Sequence, residues 1–287
     1  MRPGWTVKPI EGVPDLRLVR TEHVRFHERP EPKRTLRLVE RLRHDVELQN
    51  PPTVAVLGDG EWVLLDGANR VSAFREIGWS HVPVQVIDYA DPEVQLKGWH
   101  HLLLEGRALD LRNAYGALEG MKLERVPDGE LATRLELRQV YAALVDSDRT
   151  VWGLFPPGGV VRLAPWMAAL AKVVGAYEGR SRLERIKVPD YENLPDVFHA
   201  VDHQLVLFPT ISKAELLSLV RDDIRIPTGL TRHLIPGRAL GLHLPLEFLT
   251  ELSEEEAKVA HFRAFVDGLE MAGRIRYYEE SVFIMNE

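Results

Sequence analysis

Four short stretches of this sequence gather side chains of the kind that hold anions or move protons. The first, Leu65-Asp66-Gly67-Ala68-Asn69-Arg70, lines up an acid, a glycine, an amide and a guanidinium just ahead of Val71, Phe74 and Ile77. That apolar spacing is helical, so the stretch is a strand-to-helix turn. Free amides and the positive dipole end of a helix start, joined by a guanidinium, form a cradle for phosphate. Asp66 could hold Mg²⁺ or orient Arg70, and the plain alternative is an Asp-Gly turn with a helix cap. The second stretch is His27-Glu28, followed by Arg29-Pro30-Glu31-Pro32. The prolines argue against a helix that would aim His23 and His27 at one metal ion. Glu28 on such a loop is either a general base or a solvated carboxylate. The third, Trp99-His100-His101, reads as an amphipathic helix end with the tryptophan in a domain interface. The fourth is Pro227-Thr228-Gly229-Leu230-Thr231-Arg232-His233. A hydroxyl, a guanidinium and an imidazole at Thr231, Arg232 and His233 suit contact with an anion or nucleotide, or else a salt bridge within a loop.

The elements that must carry these residues follow from periodicity and punctuation. Leu16–Val24 reads as a strand, and Leu36, Val39, Leu42 and Val46 mark a helix ended by Asn50-Pro51-Pro52. Thr53–Leu57 and Trp62–Leu65 flank Gly58-Asp59-Gly60 as a hairpin, and Gly78 closes the helix that Arg70 opens. Val82–Ile87 is a further strand. Beyond Gly106, Val151–Phe155 and Val160–Leu163 read as a second hairpin, with a helix opened by Pro165 at its first position. His203–Phe208 reads as a strand. Ser212-Lys213-Ala214-Glu215 and Ser253–Glu256 are capping boxes, the latter before a helix ending near Ala272. Ile275–Tyr278 and Val282–Met285 read as a terminal hairpin. The expectation is an α/β (α+β) protein with one domain over residues 1–106 and a second, mixed α/β domain over 107–287.

Composition narrows the chemistry. The 287 residues are 45% apolar and 28% charged and include no cysteine, so thiolate zinc sites and cysteine nucleophiles are excluded. The longest apolar stretch, Ala164–Tyr177, is interrupted by Lys172 and falls short of the roughly 20 residues a membrane span needs. No apolar leader follows Met1, which makes a cytoplasmic setting the expectation. A net charge of −7 argues against a chain that coats nucleic acid. The charge is uneven, because Leu16–His44 carries nine basic residues against four acids and Glu247–Glu287 ten acids against four bases. The basic segment is either a solvated helix face or a positive rim beside a site for a small phosphorylated ligand. P-loop, dinucleotide-binding, zincin and α/β-hydrolase motifs do not occur.

The arrangement of Leu65–Arg70, a following helix, Gly78 and Val82-Pro83-Val84 resembles the ParB/sulfiredoxin-like superfamily over about Leu16 to Leu104. Within it the chain looks most like the free L-serine kinases, two-domain proteins that phosphorylate serine with ADP or ATP. The matching residues are Phe26-His27-Glu28 before the first helix, Asp66, Gly67 and Arg70 on the turn, Val82-Pro83-Val84-Gln85-Val86, and Trp99-His100. The resemblance implies that Glu28 is the catalytic base and that Asp66, Gly67, Ala68, Asn69 and Arg70 bind phosphate, with Mg²⁺ at Asp66. It also implies that Trp99, His100, Thr231, Arg232 and His233 line a cleft holding the acceptor. Sulfiredoxins carry their reactive cysteine where this chain has Ala68, which removes that activity. ParB proteins carry Gly-Glu-Arg-Arg at Gly67–Arg70 and follow it with a basic DNA reader, unlike the acidic second half here. The kinases carry histidine at Asn69, an amide that can donate to phosphate but cannot be cationic. The implied function is phosphorylation of a small free amino acid, serine first, with ADP or ATP and Mg²⁺, with no membrane or nucleic-acid partner. The alternative is a noncatalytic nucleotide-sensing or DNA-associated ParB-like regulator.

Overall fold

A computed structural model describes residues 13–45, 47–159, 161–188, 191, 194 and 202–277. The chain forms two compact units, and its path crosses between them more than once. The first unit begins with strand β1 (Leu16–Arg20), a single 3₁₀ turn, β2 (Val24–Phe26) and helix α1 (Pro32–Asp45). It continues through β3 (Glu47–Leu48), β4 (Thr53–Gly58), β5 (Glu61–Asp66), α2 (Ala68–Ile77) and β6 (His81–Ile87). The expected hairpin is β4–β5, whose two loop residues, Asp59 and Gly60, both have positive φ as a type I′ turn requires. Five strands form one sheet in the order β1-β6-β4-β5-β2, with β4 pairing parallel to β6 and β5 parallel to β2. In α1 the buried side chains are Thr35, Val39 and Leu42, while Leu36 is half exposed. Val39 and Leu42 thus face inward as expected, with Thr35, whose hydroxyl bonds Asn69 on α2, in place of Leu36; Val46 lies outside the described residues.

The second unit contains β7 (Gln95–Gly98), β8 (His100–Leu103), α3 (Leu111–Gly116), β9 (Lys122–Arg125), α4 (Leu131–Glu136), β10 (Ala142–Val145) and β11 (Val151–Phe155). There follow α5 (Leu163–Gly175), β12 (Leu183–Ile186), β13 (Gln204–Leu207), α6 (Lys213–Arg221) and β14 (Thr231–Leu234). Its main sheet runs β12-β8-β13-β10-β11-β9 and is antiparallel throughout, and β7 pairs with β14 apart from it. All four residues of β8 are buried, so apolar layers cover both faces of the sheet at this strand. Trp99-His100-His101 thus lies at the start of a central strand rather than at a helix end. Two further expectations change. Residues after Phe155 do not return as a hairpin strand: β11 pairs with β10 and β9, and helix begins at Leu163, with Val160 outside the described residues. Pro165 is the third helical residue, still within the first turn, where its missing N–H costs no bond. The capping box at Ser212 is present in full, whereas α8 (Glu255–Met271), after the short α7 (Phe248–Glu251), has no side-chain cap.

The division between units also differs from the expected one after Gly106. The second unit starts at Leu96 and takes in His27–Arg29, and from Ile235 onward the chain belongs to the first unit. The physical reason is apolar. β15 (Leu244–Pro245) pairs with β3, and Leu242, Leu246, Phe248, Leu249 and Phe262 join the core built by Val54, Leu64, Val71, Phe74, Val82 and Val84. The acidic C-terminal segment completes the first core rather than closing the second. The terminal hairpin expected over residues 275–285 lies mostly outside the described residues.

Candidate active site

In the first unit the turn after β5 is shaped by Gly67. Its φ of 99° is left-handed, and a Cβ there would sit 2.9 Å from Cβ of Pro52, so neither the conformation nor the space admits a side chain. No side chain caps α2 at Gly67, and the first intrahelical bond closes from Val71 N–H to the Gly67 carbonyl, 3.0 Å. The amides of Ala68, Asn69 and Arg70 precede it and take no intrahelical partner. Arg70 does not extend its guanidinium outward as a free fork. Nη1 donates to the carbonyls of Asn50 (2.5 Å) and Pro51 (3.0 Å), and Nη2 donates to Asp66 Oδ2 at 2.6 Å. Arg70 therefore braces the turn against the approach to β4.

Asp66 accepts a second guanidinium from Arg238, 2.5 Å from Nη2 to Oδ2. The reason Arg238 arrives here is Gln85 on β6, a buried amide that donates to the Gly237 carbonyl (2.8 Å) and accepts from the Ala239 N–H (2.9 Å). Burial alone would raise the Asp66 carboxyl, but the charges of Arg70 and Arg238 outweigh it and hold the group below the usual carboxylate range. Both guanidiniums fall on the same oxygen, Oδ2, an arrangement that matches the reading in which Asp66 orients Arg70. Among the described residues no group of three or more acidic or imidazole side chains is placed to hold a metal ion. Asn69 faces α1: its Oδ1 accepts from Glu31 N–H at 2.7 Å and from Thr35 Oγ1 at 3.3 Å. Since a backbone N–H can only donate, the oxygen is fixed there and the amide NH₂ points away from these two donors. A shallow cavity of about 460 Å³ at the far end of α2, lined by Thr21, Arg75 and Trp79, takes in none of these residues.

In the second unit the other three stretches meet. Glu28 forms a parallel bridge with Ile226, the His27 carbonyl accepts from Ile226 N–H at 2.8 Å, and Thr228 Oγ1 donates to the Arg29 carbonyl at 2.8 Å. This lays Glu28 along the segment that contains the fourth stretch, and Gly229 N–H donates to its carboxylate, 3.2 Å to Oε2. His27 Nε2 lies 3.0 Å from Thr231 Oγ1 and edge-on to His233, ring centroids 5.3 Å apart. Trp99 donates its N–H to the Leu230 carbonyl at 2.9 Å, and the Arg232 guanidinium stacks over its ring at 4.6 Å. Thr231–His233 is a strand, β14, rather than a loop. Arg232 thus faces an indole, not a surface carboxylate. His100 is turned elsewhere: its Nδ1 accepts from Phe208 N–H at 3.2 Å and its Nε2 meets Tyr191 Oη at 3.1 Å. Burial, then the neighbouring His101, lowers its pKa to about 4, so at neutral pH it is an uncharged part of the core.

Three contributors escaped the sequence reading. Arg238 is 172 residues from Asp66 and carries no local signal. His101 was seen only as part of a run, and nothing set it above His100. Arg185, on β12, places its guanidinium where a Cβ of Gly229 would fall, and only a glycine at that position admits it.

No family model matches the chain. Over 95% of its length it is 23% identical to the ATP-dependent L-serine kinase SbnI of Staphylococcus aureus, covering 97% of that protein. An ATP-dependent L-serine kinase of Staphylothermus marinus is 31% identical over 100 residues, which is 34% of this chain and 39% of that one. The structure of SbnI with a C-terminal truncation superposes with a TM-score of 0.70 at 22% identity, covering 88% of this chain and 96% of that one. A glutamate-to-alanine variant of free serine kinase in complex with ADP gives 0.67 at 20% identity, covering 86% and 98%. The chain thus has the fold of these serine kinase structures, and over nearly its whole length it is similar in sequence to the kinase SbnI.

Proposed function

We propose that this protein is an amino-acid kinase that transfers phosphate from ADP or ATP to the hydroxyl of a small free amino acid, L-serine first. The observation that carries the reading is the surrounding of Glu28. The one carboxylate that the sequence singles out as a base lies against Gly229 N–H, in a cluster with His27, Thr231, Arg232 and Trp99. Near full-length similarity to proteins named as L-serine kinases supports the same reaction.

In this reading the Ala68–Arg70 amides and the N-terminal dipole of α2 bind the nucleotide's phosphates, and Asn69 adds its NH₂. Asp66 and Arg70 hold the turn in shape. Glu28 removes the acceptor hydroxyl's proton, while Arg232, stacked on Trp99, is a cation for the acceptor's carboxylate. Phosphoryl transfer depends chiefly on such positioning and charge. Mg²⁺ would travel with the nucleotide's phosphates, and no step above runs through it. A screen of free amino acids against ADP and ATP tests the proposal. A phosphorylated amino acid, formed with nucleotide turnover and lost in Glu28→Gln, is expected. Absence of any such product with either nucleotide, beside retained nucleotide binding, would favour the noncatalytic sensor.

A further inference from the structure

The base is held by a chain of donors that begins deep in the second unit. Tyr177, just after α5, is fully buried, and its hydroxyl lies 2.7 Å from His101 Nδ1. His101 Nε2 lies 3.0 Å from the carbonyl of Gly229. A carbonyl only accepts, so Nε2 carries the proton; in the neutral ring Nδ1 then accepts, and Tyr177 must donate. On the other side of the same residue, Gly229 N–H donates to Glu28. Gly229 is therefore gripped at its oxygen by the core and presents its nitrogen to the carboxylate. It has a φ of 81°, and the Arg185 guanidinium occupies the space a side chain would need.

We infer that Tyr177 and His101 are positioning residues for Glu28, acting through the backbone of Gly229. The assignment rests on the kinase reading for its catalytic consequence, but not for its geometry. Three properties support it. His101 is 1% exposed, so it is inaccessible to a ligand and works through its neighbours. Burial foremost, with the Arg185 charge adding to it against the Gly229 bond, brings its pKa down to about 4, which keeps the single proton on Nε2 at neutral pH. The ring is also wedged edge-on between Tyr177 and Phe208, centroids at 5.8 and 5.1 Å, so it cannot swing to another acceptor without repacking. A polar pair this deep is costly to bury unless it is satisfied, and here both ring nitrogens are.

The test uses the full chain, isotope-labelled, in three variants. Tyr177→Phe removes the donor to Nδ1, His101→Phe removes both bonds, and His101→Gln keeps one donor and one acceptor in similar places. The Gly229 amide proton reports its bond to Glu28, and Glu28→Gln calibrates the resonance for a lost charge. His101→Phe and Tyr177→Phe should move that resonance in the same direction as Glu28→Gln, and His101→Gln should restore most of it. Imidazole nitrogen shifts of the parent protein should show the Nε2–H tautomer at neutral pH. In turnover, His101→Phe should lower kcat roughly 10- to 100-fold with nucleotide KM unchanged, as for a misplaced catalytic group. A folded His101→Phe whose Gly229 resonance and kcat match the parent would overturn the inference. If instead the resonances respond as expected while the parent protein turns over no amino acid, the positioning chain stands and the kinase reading falls.

Discussion

The turn at Asp66–Arg70 and the cluster around Glu28 solve opposite problems. In the turn the charged side chains are spent on one another: Asp66 lies between Arg70 and Arg238, ahead of a helix start that no side chain caps. In the cluster no salt bridge to Glu28 occurs among the described residues; its carboxylate meets a single backbone N–H, and the nearby cation Arg232 is stacked on an indole. The first arrangement holds a shape with paired charges, and the second leaves a carboxylate outside any ion pair among the described residues. Variants of the turn should therefore lose binding and stability together, and variants of the cluster should lose rate.

The largest effect that could break this contrast is at Glu28. Glu28→Gln keeps the shape and the Gly229 contact but not the basicity, so kcat should fall about 10²- to 10⁴-fold with nucleotide affinity intact. Equal losses of affinity and rate, measured by nucleotide titration and steady-state turnover, would mean that the two regions are not separable in role. Next comes Arg70→Ala. It removes three bonds from a mostly buried guanidinium, and hydrogen bonds to charged groups contribute roughly 1.5–3 kcal/mol each at most. A drop of about 2–3 kcal/mol in unfolding free energy, with weaker nucleotide binding, is expected by denaturant titration; lost binding at full stability would make Arg70 a direct ligand of phosphate instead. Gly67→Ala follows, at about 1–3 kcal/mol, because φ 99° and the 2.9 Å approach to Pro52 are both violated.

A smaller effect separates the units by pH. His100 and His101 are kept to about 4 by burial, well below the usual value of 6.5 for histidine. Between pH 6.5 and 4 the unfolded chain binds protons that the folded chain refuses, so unfolding free energy falls as the solution is acidified through that window. Each group contributes on the order of 1 kcal/mol per pH unit there. His81 in the first unit is displaced in the same direction, again chiefly by burial. Glu215 differs: bonded foremost to Arg138, it is held near 2, so its contribution is lost only as pH falls from about 4.5 towards 2. The slope of Tm between pH 7 and 5 should therefore flatten in His101→Gln. An unchanged slope would assign the acid sensitivity to His100 or to His81 instead.

What the sequence revealed divides along the same line. Asp66–Arg70 is contiguous, so its turn, helix and glycine could be read from adjacent residues, as could the Asp59-Gly60 hairpin. The roles inside it could not, because the partner that takes up Asp66 comes from Arg238, and residues from Ile235 on return to complete the first core. In the second unit each chemical stretch was visible alone. Their convergence was not, since a bridge from Glu28 to Ile226 spans nearly 200 residues and leaves no periodic trace. The Trp99-His100-His101 run was misread as helical because a strand buried on both faces shows no alternation, only a short apolar run.

The finest test of the contrast is the Arg232–Trp99 pair. The guanidinium lies 4.6 Å from the ring centroid, and such a contact at a partly exposed site contributes about 0.5–1 kcal/mol. Trp99→Leu keeps an apolar residue beside β8 but removes the π face, so Arg232 keeps its charge and loses its platform. If Arg232 serves the acceptor's carboxylate, KM for the amino acid should rise about two- to fivefold, the amount that energy allows, with kcat and nucleotide KM close to the parent. Arg232→Lys should raise it further, because an ammonium can neither stack as a plane nor present a two-pronged donor. A rise in nucleotide KM instead would move Arg232 to the phosphate side, and the cluster would then bind the donor as well as activate the acceptor.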